Sequence, residues 1–367
     1  MKILTVVGAR PQFVKAAVVS RAIAAWNRQT GGKAELAEVL AHTGQHYDES
    51  MSAVFFRELD IPPPAHQLAV GSGPHGQQTG RMLEGLERVM QEEQPDLVLV
   101  YGDTNSTLAG ALAASKLHIP IAHVEAGLRS YNRAMPEEIN RVLVDHVSAL
   151  LLCPSERARK NLSQEGITAG VHVAGDVMYD SVLFHLKRGD VETRCCERLG
   201  LTPRTYGVLT LHRAENVDER NKVEMILAAV EGLNMPIVFP IHPRTKAMLE
   251  RVQLRWPPHV RATEPLPYLE MLQLMRDARL VLTDSGGLQK EAFFLKVPCV
   301  TLRGETEWVE TVEAGWNRLA GIGRDAIRDA CRALLECVPS KQPKPYGDGH
   351  AGEAVVQILA DYLGSRQ

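Results

Sequence analysis

The chain has 367 residues, 45% of them apolar and 23% charged, so it exceeds the length at which one hydrophobic core stops growing and is too apolar for a disordered polymer. A net charge of -3 excludes the broad basic field that nucleic acid requires, and no apolar run approaches the ~20 residues of a membrane span. Six cysteines without CxxC spacing suit structural thiols, and Met1 runs into a strand-like segment with no charged leader; the expectation is a cytoplasmic protein that binds a small molecule and neither nucleic acid nor membrane.

Apolar, β-rich runs alternate with helical stretches. In the first half they fall at residues 3–7, 37–41, 97–101, 120–124, 150–153 and 171–174, and in the second at 207–211, 237–241, 280–283 and 298–302. Runs so continuously apolar are covered on both faces, as in parallel sheets. The fold expected is α/β, with two Rossmann-like doubly wound domains and a cleft between them. A charge-rich segment at 187–198 follows Gly175, Asp176, Val177 and Met178 and sets the boundary there. Residues 1–178 form the first domain, 179–350 the second, and 351–367 a C-terminal helix that packs back on the first.

In open α/β sheets ligands bind beyond the carboxyl ends of the strands, and unusual polar residues recur at those ends here. The first strand ends in Gly8, Ala9, Arg10 and Pro11, with Lys15 one turn into the next helix; Arg presents a fork and Lys a point charge to an anion, or both are solvated at a helix start. The second strand ends in Thr43, Gly44, Gln45 and His46. Three more such ends bring acids: Asp103 after Tyr101-Gly102, Glu125 after His123-Val124, and, after a loop, Glu137 with Glu138 behind Pro136. Each alone reads as an N-cap or a solvated group; together they point to proton transfer. In the second half His212 and Arg213 follow one strand and His242 another, positions from which a departing anion is neutralised. Asp284, Ser285, Gly286 and Gly287 join a strand to a helix. Such a helix N-terminus carries unsatisfied N–H groups and partial positive charge for a phosphate, although a plain N-cap with a tight turn explains the same residues. Glu291, one turn in, suits ribose hydroxyls.

Taken in order, Gly8-Ala9-Arg10-Pro11 with Lys15, Thr43-Gly44-Gln45-His46, Gly102-Asp103-Thr104, His123 to Arg129, Pro136-Glu137-Glu138, His212-Arg213 with Glu215-Asn216, Thr283 to Gln289, and Pro345 to Gly349 resemble the non-hydrolysing UDP-N-acetylglucosamine 2-epimerases nearly end to end. That resemblance implies a glycosyltransferase-B-like fold, a UDP-sugar as the partner, no metal and no nicotinamide or other cofactor, and a homodimer. It implies C2 epimerisation through elimination of UDP to a glycal and re-addition. Asp103, Glu125 and Glu137 would be the acid/base carboxylates and His212 the cleft histidine. Arg10, His212, Ser285, Gly286 and Gly287 would hold the diphosphate, with Glu291 on ribose, Lys15 supporting the Arg10 loop and His242 on the nucleotide side. Gln45 and His46 match a motif that lines a second, regulatory substrate site in some bacterial members.

Departures bear on the sugar. Thr306-Glu307-Trp308-Val309-Glu310 stands where many members read Thr-Glu-Arg-Pro-Glu, and Gly71 to Gly76 fill a loop often built differently. Both resemble the branch that acts on UDP-2,3-diacetamido-2,3-dideoxyglucuronate, for whose added groups Arg133, His75 and Arg303 are candidate donors; plain UDP-N-acetylglucosamine stays an equal expectation. A hydrolysing epimerase that releases free sugar, and a glycosyltransferase on the same scaffold, are the rival readings. The second needs an acceptor site, and the first domain has no basic amphipathic docking segment to serve it.

Overall fold

The computed structural model describes residues 1–32, 34–45, 56, 58–189, 194–241, 245–246, 249 and 257–366. The chain divides into two compact units, Met1–Leu183 with Lys344–Gln367, and Phe184–Pro343.

In the first unit, strands β1 (Lys2–Val7), β2 (Ala37–His42), β3 (His66–Gln67), β4 (Leu97–Tyr101), β5 (Ile121–Val124), β6 (Leu150–Cys153) and β7 (Val171–Val173) form one sheet in the order β3-β2-β1-β4-β5-β6-β7, paired in parallel throughout. Helices α1 (Arg10–Thr30), α2 (His75–Glu93), α3 (Asn105–Lys116), α4 (Pro136–Val147) and α5 (Glu156–Gln164) return the chain between strands. β4 is buried at every residue because helices cover both sheet faces, which is why it reads as an unbroken apolar run. Helix α6 (Val177–Arg188) contains the point of division.

The second unit repeats the plan. After α7 (Arg194–Arg198) come β8 (Gly207–Thr210), α8 (Ala214–Val217), α9 (Arg220–Glu231), β9 (Ile237–Pro240), β10 (Val260–Thr263), α10 (Tyr268–Arg276), β11 (Leu280–Thr283), α11 (Gly286–Phe294), β12 (Cys299–Thr301), α12 (Val309–Glu313), β13 (Asn317–Leu319) and α13 (Arg324–Glu336). Its sheet runs β10-β9-β8-β11-β12-β13, again parallel. Helix α14 (Ala351–Gly364) lies with the first unit, packed on α1, where Gly352 meets Val18. The segment leading to it is tied there too: Asp176 N–H donates to the Tyr346 carbonyl at 3.0 Å, and Gly352 N–H to Asp180 Oδ2 at 2.8 Å. By contacts the returning segment therefore starts at Lys344, ahead of the helix itself.

The ten expected strands all form. Three more, β3, β10 and β13, escape the sequence pattern because they are short and rich in polar residues (His66, Gln67, Arg261, Arg318), and all three lie at sheet edges where one side of the ladder is open. Among the described residues no helix is long and apolar enough to cross a membrane.

Each sheet has one place where the winding reverses: between β1 and β4 in the first unit and between β8 and β11 in the second. There the loops leaving adjacent strands diverge and open a crevice, the ligand position of doubly wound folds. The crevice at β1 depends on Gly8, since a Cβ there would overlap the hydroxyls of Thr43 and Ser106. Gly8→Ala is expected to lower the unfolding free energy by about 1–3 kcal/mol, read as a shift of the urea midpoint.

Candidate active site

At the β1/β4 switch point the buried Gln12 organises the backbone. Its Oε1 accepts from the N–H groups of Gly8 (2.8 Å) and Ala9 (3.0 Å), and its Nε2 donates to the Tyr101 carbonyl (3.1 Å) and to Thr107 Oγ1 (3.0 Å). One amide thus clamps two strand ends together, and it leaves half-buried Arg10 as the first residue of α1. Lys15, five residues beyond Arg10, is buried and ion-paired to the buried Glu125. Its ammonium reaches across β4 to the end of β5, where an unpaired buried carboxylate would be too costly. Glu125 itself sits at φ 73°, a left-handed conformation that costs a non-glycine residue about 1–3 kcal/mol and persists only where its surroundings enforce it.

Asp103 is paired through Oδ2 with the Arg141 guanidinium, and its carbonyl accepts from Asn140 Nδ2 at 2.9 Å. Arg141 also pairs with Glu138, whose carboxylate accepts from Ser130 N–H (2.9 Å), Ser130 Oγ (2.9 Å) and Tyr131 N–H (2.8 Å) and so closes the loop before α4. Glu137, half-buried in the first turn of α4, makes no ion pair or hydrogen bond among the described residues. Of the two adjacent acids, one is structural and the other available for chemistry.

At the β8/β11 switch point Asp284 is fully buried and accepts from His212 Nδ1 (2.9 Å), His212 N–H (3.1 Å), Arg213 N–H (3.0 Å) and Asn216 Nδ2 (3.1 Å). Burial pushes its carboxyl up, but the hydrogen bond and charge of His212, with those from Arg213 and Asn216, outweigh that and hold it below the usual 3.8. Asp284 therefore serves as an acceptor inside the turn. It faces inward and holds the imidazole by Nδ1, leaving the side chain of His212 43% exposed. Ser285 caps α11, accepting from Leu288 N–H, and its own N–H donates to Thr283 Oγ1 at 3.0 Å. Gly286 and Gly287 follow as the first residues of the helix, where N–H groups lack intrahelical partners and the dipole is positive. Glu291 is buried one turn in. Beside the glycines, Trp308 Nε1 lies 3.4 Å from where a Gly286 Cβ would stand, and the Lys290 ammonium is stacked 3.9 Å from the centre of the Trp308 ring.

His46 and His242 lie outside the described residues. Gln45 Oε1 accepts from Ser106 N–H (3.0 Å) and Ser106 Oγ (2.7 Å), a tie between strand ends. His75 Nδ1 bonds Asn105 Nδ2 at 3.0 Å, and Arg133 is exposed. Arg303 is not available to a sugar carboxylate: it is buried and bidentate to Glu307 at 3.0 and 3.1 Å. Sequence reasoning missed Asp284 and Gln12 as organisers and Arg141 as the partner of Asp103. Only the Glu138–Arg141 spacing, i to i+3 on a helix, offered a signal.

Two parallel-sheet units with polar crevices at their switch points define a glycosyltransferase-B-like α/β enzyme. The sequence matches the family described as UDP-N-acetylglucosamine 2-epimerase over residues 28–360. It is 50% identical over 367 residues to the UDP-2,3-diacetamido-2,3-dideoxy-D-glucuronate 2-epimerase of Pseudomonas aeruginosa, covering 98% of this chain and 99% of that one. A UDP-N-acetylglucosamine 2-epimerase homolog of Methanococcus maripaludis is 49% identical over 366 residues, with the same coverage. In structure, the UDP-GlcNAc 2-epimerase of Methanocaldococcus jannaschii, solved with UDP-GlcNAc and UDP, superposes with a TM-score of 0.91 at 44% identity over 98% of this chain and 100% of that one. The chain belongs to the UDP-N-acetylglucosamine 2-epimerase family.

Because the folded pKa of Asp284 is depressed, its contribution to stability is complete above the usual 3.8 and is lost as pH falls through that value toward the folded one. Urea midpoints between pH 6 and pH 3 should fall steeply for the wild type. Asp284→Asn, already destabilised at pH 6, should show a shallower fall; parallel curves would remove this role.

Proposed function

We propose that this isomerase inverts C2 of a UDP-2-acetamido sugar. The observation that carries the reading is the second unit's switch point, where a histidine fixed by a buried carboxylate stands beside a glycine helix N-terminus. That arrangement suits a leaving diphosphate: amide dipoles and an imidazole meet the charge that develops as the bond breaks.

A carboxylate of the first unit takes the C2 proton, the C1–O bond to UDP breaks with its electron pair leaving on the diphosphate, and the C1=C2 bond of a 2-acetamidoglucal forms. Re-addition reverses these steps with the proton delivered to the opposite face of C2. Oxidation states are unchanged overall, so the chemistry calls for no redox cofactor. Base and acid must stand on opposite faces, hence at least two carboxylates. Asp103, held by Arg141, Glu125, held by Lys15, and Glu137, without such a partner among the described residues, supply the candidates. Arg10, Ser285, Gly286, Gly287 and His212 hold the diphosphate, and Glu291 the ribose. The sugar is UDP-N-acetylglucosamine or UDP-2,3-diacetamido-2,3-dideoxyglucuronate, the substrates in the names of the two kinds of relative.

Incubation with each nucleotide sugar in deuterated water tests the reading. Deuterium at C2 with UDP still attached is expected for the true substrate, whereas stoichiometric UDP and free sugar would mark a hydrolase. Asp103→Asn and Glu125→Gln should slow exchange by about 100-fold or more while UDP affinity holds; near-normal exchange in both would remove these roles.

The enzyme is further proposed to work as a cytoplasmic homodimer. Support comes from α4, where Ile139, Leu143 and Val147 are 47%, 45% and 38% exposed at i, i+4 and i+8, one apolar stripe on the helix that also carries Glu137 and Arg141. In sedimentation Leu143→Lys should convert dimer to monomer; a dimer of unchanged affinity would place the contact elsewhere.

A further inference from the structure

Behind the first unit's acids lies a row of charged side chains that the proposed chemistry leaves unused. His123 in β5 is fully buried, and its two nitrogens bridge elements far apart in sequence: Nε2 to the Gly102 carbonyl at 2.7 Å and Nδ1 to Asp145 Oδ1 at 2.8 Å. Asp145, in the last turns of α4, also accepts from Gly127 N–H at 3.1 Å and from Arg129 Nη1 at 2.7 Å. Arg129 then forks onto Glu165 at 2.6 and 2.7 Å. Histidine, aspartate and arginine are each at most 3% exposed.

We infer that His123 and Asp145 are positioning residues of the reaction centre, holding the loop that carries Asp103 and the loop that carries Glu125 in register from beneath. This rests on the reading that those two acids carry the proton transfer. The two anchor points flank the acids in sequence. Gly102 immediately precedes Asp103, and Gly127 follows Glu125 by two residues. All three backbone positions at issue have positive φ: Gly102 at 61°, Glu125 at 73° and Gly127 at 80°. Such a path is unfavourable for Glu125 on its own and needs external anchors. Gly102 also forms a wall of the ion pair, since a Cβ there would stand 3.0 Å from Lys15 Nζ and 3.3 Å from Glu125 Oε1. A shift of the Gly102 peptide would therefore move Asp103 and disturb Glu125 together.

Both acceptors of His123, a carbonyl and a carboxylate, lack protons to give, so both ring nitrogens donate. The row then alternates donor and acceptor: imidazole, Asp145, guanidinium, Glu165. Burial drives the Asp145 carboxyl up, but His123 and Arg129 outweigh it and hold the group low, which keeps it an acceptor. Simple packing needs none of this, since an apolar pair of the same volume would fill the space at less desolvation cost.

The test combines kinetics with a spectroscopic signature. Asp145→Asn keeps shape and removes charge. Per folded molecule, kcat for C2 inversion should drop about 100-fold, the effect of ångström-scale misplacement, while KM stays within about twofold and both nitrogens of His123 in the wild type carry protons by nitrogen-15 NMR. A kcat within about threefold of wild type, a KM that rises in step with the loss, or a His123 ring with one bare nitrogen would each overturn the inference. Should Asp145→Asn fail to fold, Glu165→Gln at the part-exposed end of the row takes its place, with about a tenfold kcat loss expected and an unchanged kcat refuting. A wild type that exchanges no C2 proton would instead sink the proposed function, and the NMR result would still stand or fall on its own.

Discussion

A carboxylate removed from water must be met donor by donor, and both polar crevices of this protein are built around that demand. Asp284 draws two backbone N–H groups, an imidazole and an amide onto one point at the end of β11. In doing so it fixes the turn after β8, the orientation of His212 and the start of α8. In the first unit the same constraint is met three times, by Lys15 on Glu125, by Arg141 on Asp103 and Glu138, and by His123 with Arg129 on Asp145. Buried pairs of this kind add little net stability over apolar packing. Their gain is geometric, since a charge that must be paired tolerates few arrangements.

The crevices differ in chemistry in a way that fits a reaction with two tasks. The second unit offers donors: a helix N-terminus, an indole, an ammonium stacked on it, and an exposed imidazole. The first offers carboxylates, two held by cations and a third, Glu137, without such a partner among the described residues. In the proposed function, charge stabilisation of a leaving group and proton transfer at carbon fall to separate sheets, each at its own point of reversed winding. The conformational cost at Glu125 falls at one of the proposed acids, and strain of that kind persists where packing over-determines it.

Sequence alone determined the α/β class and the central strands, because a strand covered on both faces must be apolar throughout and that pattern survives without coordinates. It also placed Arg10, Asp103, Glu125, His212 and Ser285 at strand ends, since polar residues right after apolar runs have nowhere else to be. The short strands β3, β10 and β13 were not legible, being polar and partly open. Nor was the direction of any side chain: Asp284 and Ser285 are neighbours, yet one turns into the core to hold His212 and the other caps a helix. Glu137 and Glu138 divide in the same way, one available and one locked to Arg141, Ser130 and Tyr131. The partners that decide these directions lie between 3 and 110 residues away in sequence, from Glu138 with Arg141 to Lys15 with Glu125. Only the folded chain brings such donors within hydrogen-bond reach, so tertiary structure decided which acids are scaffold and which are free to act.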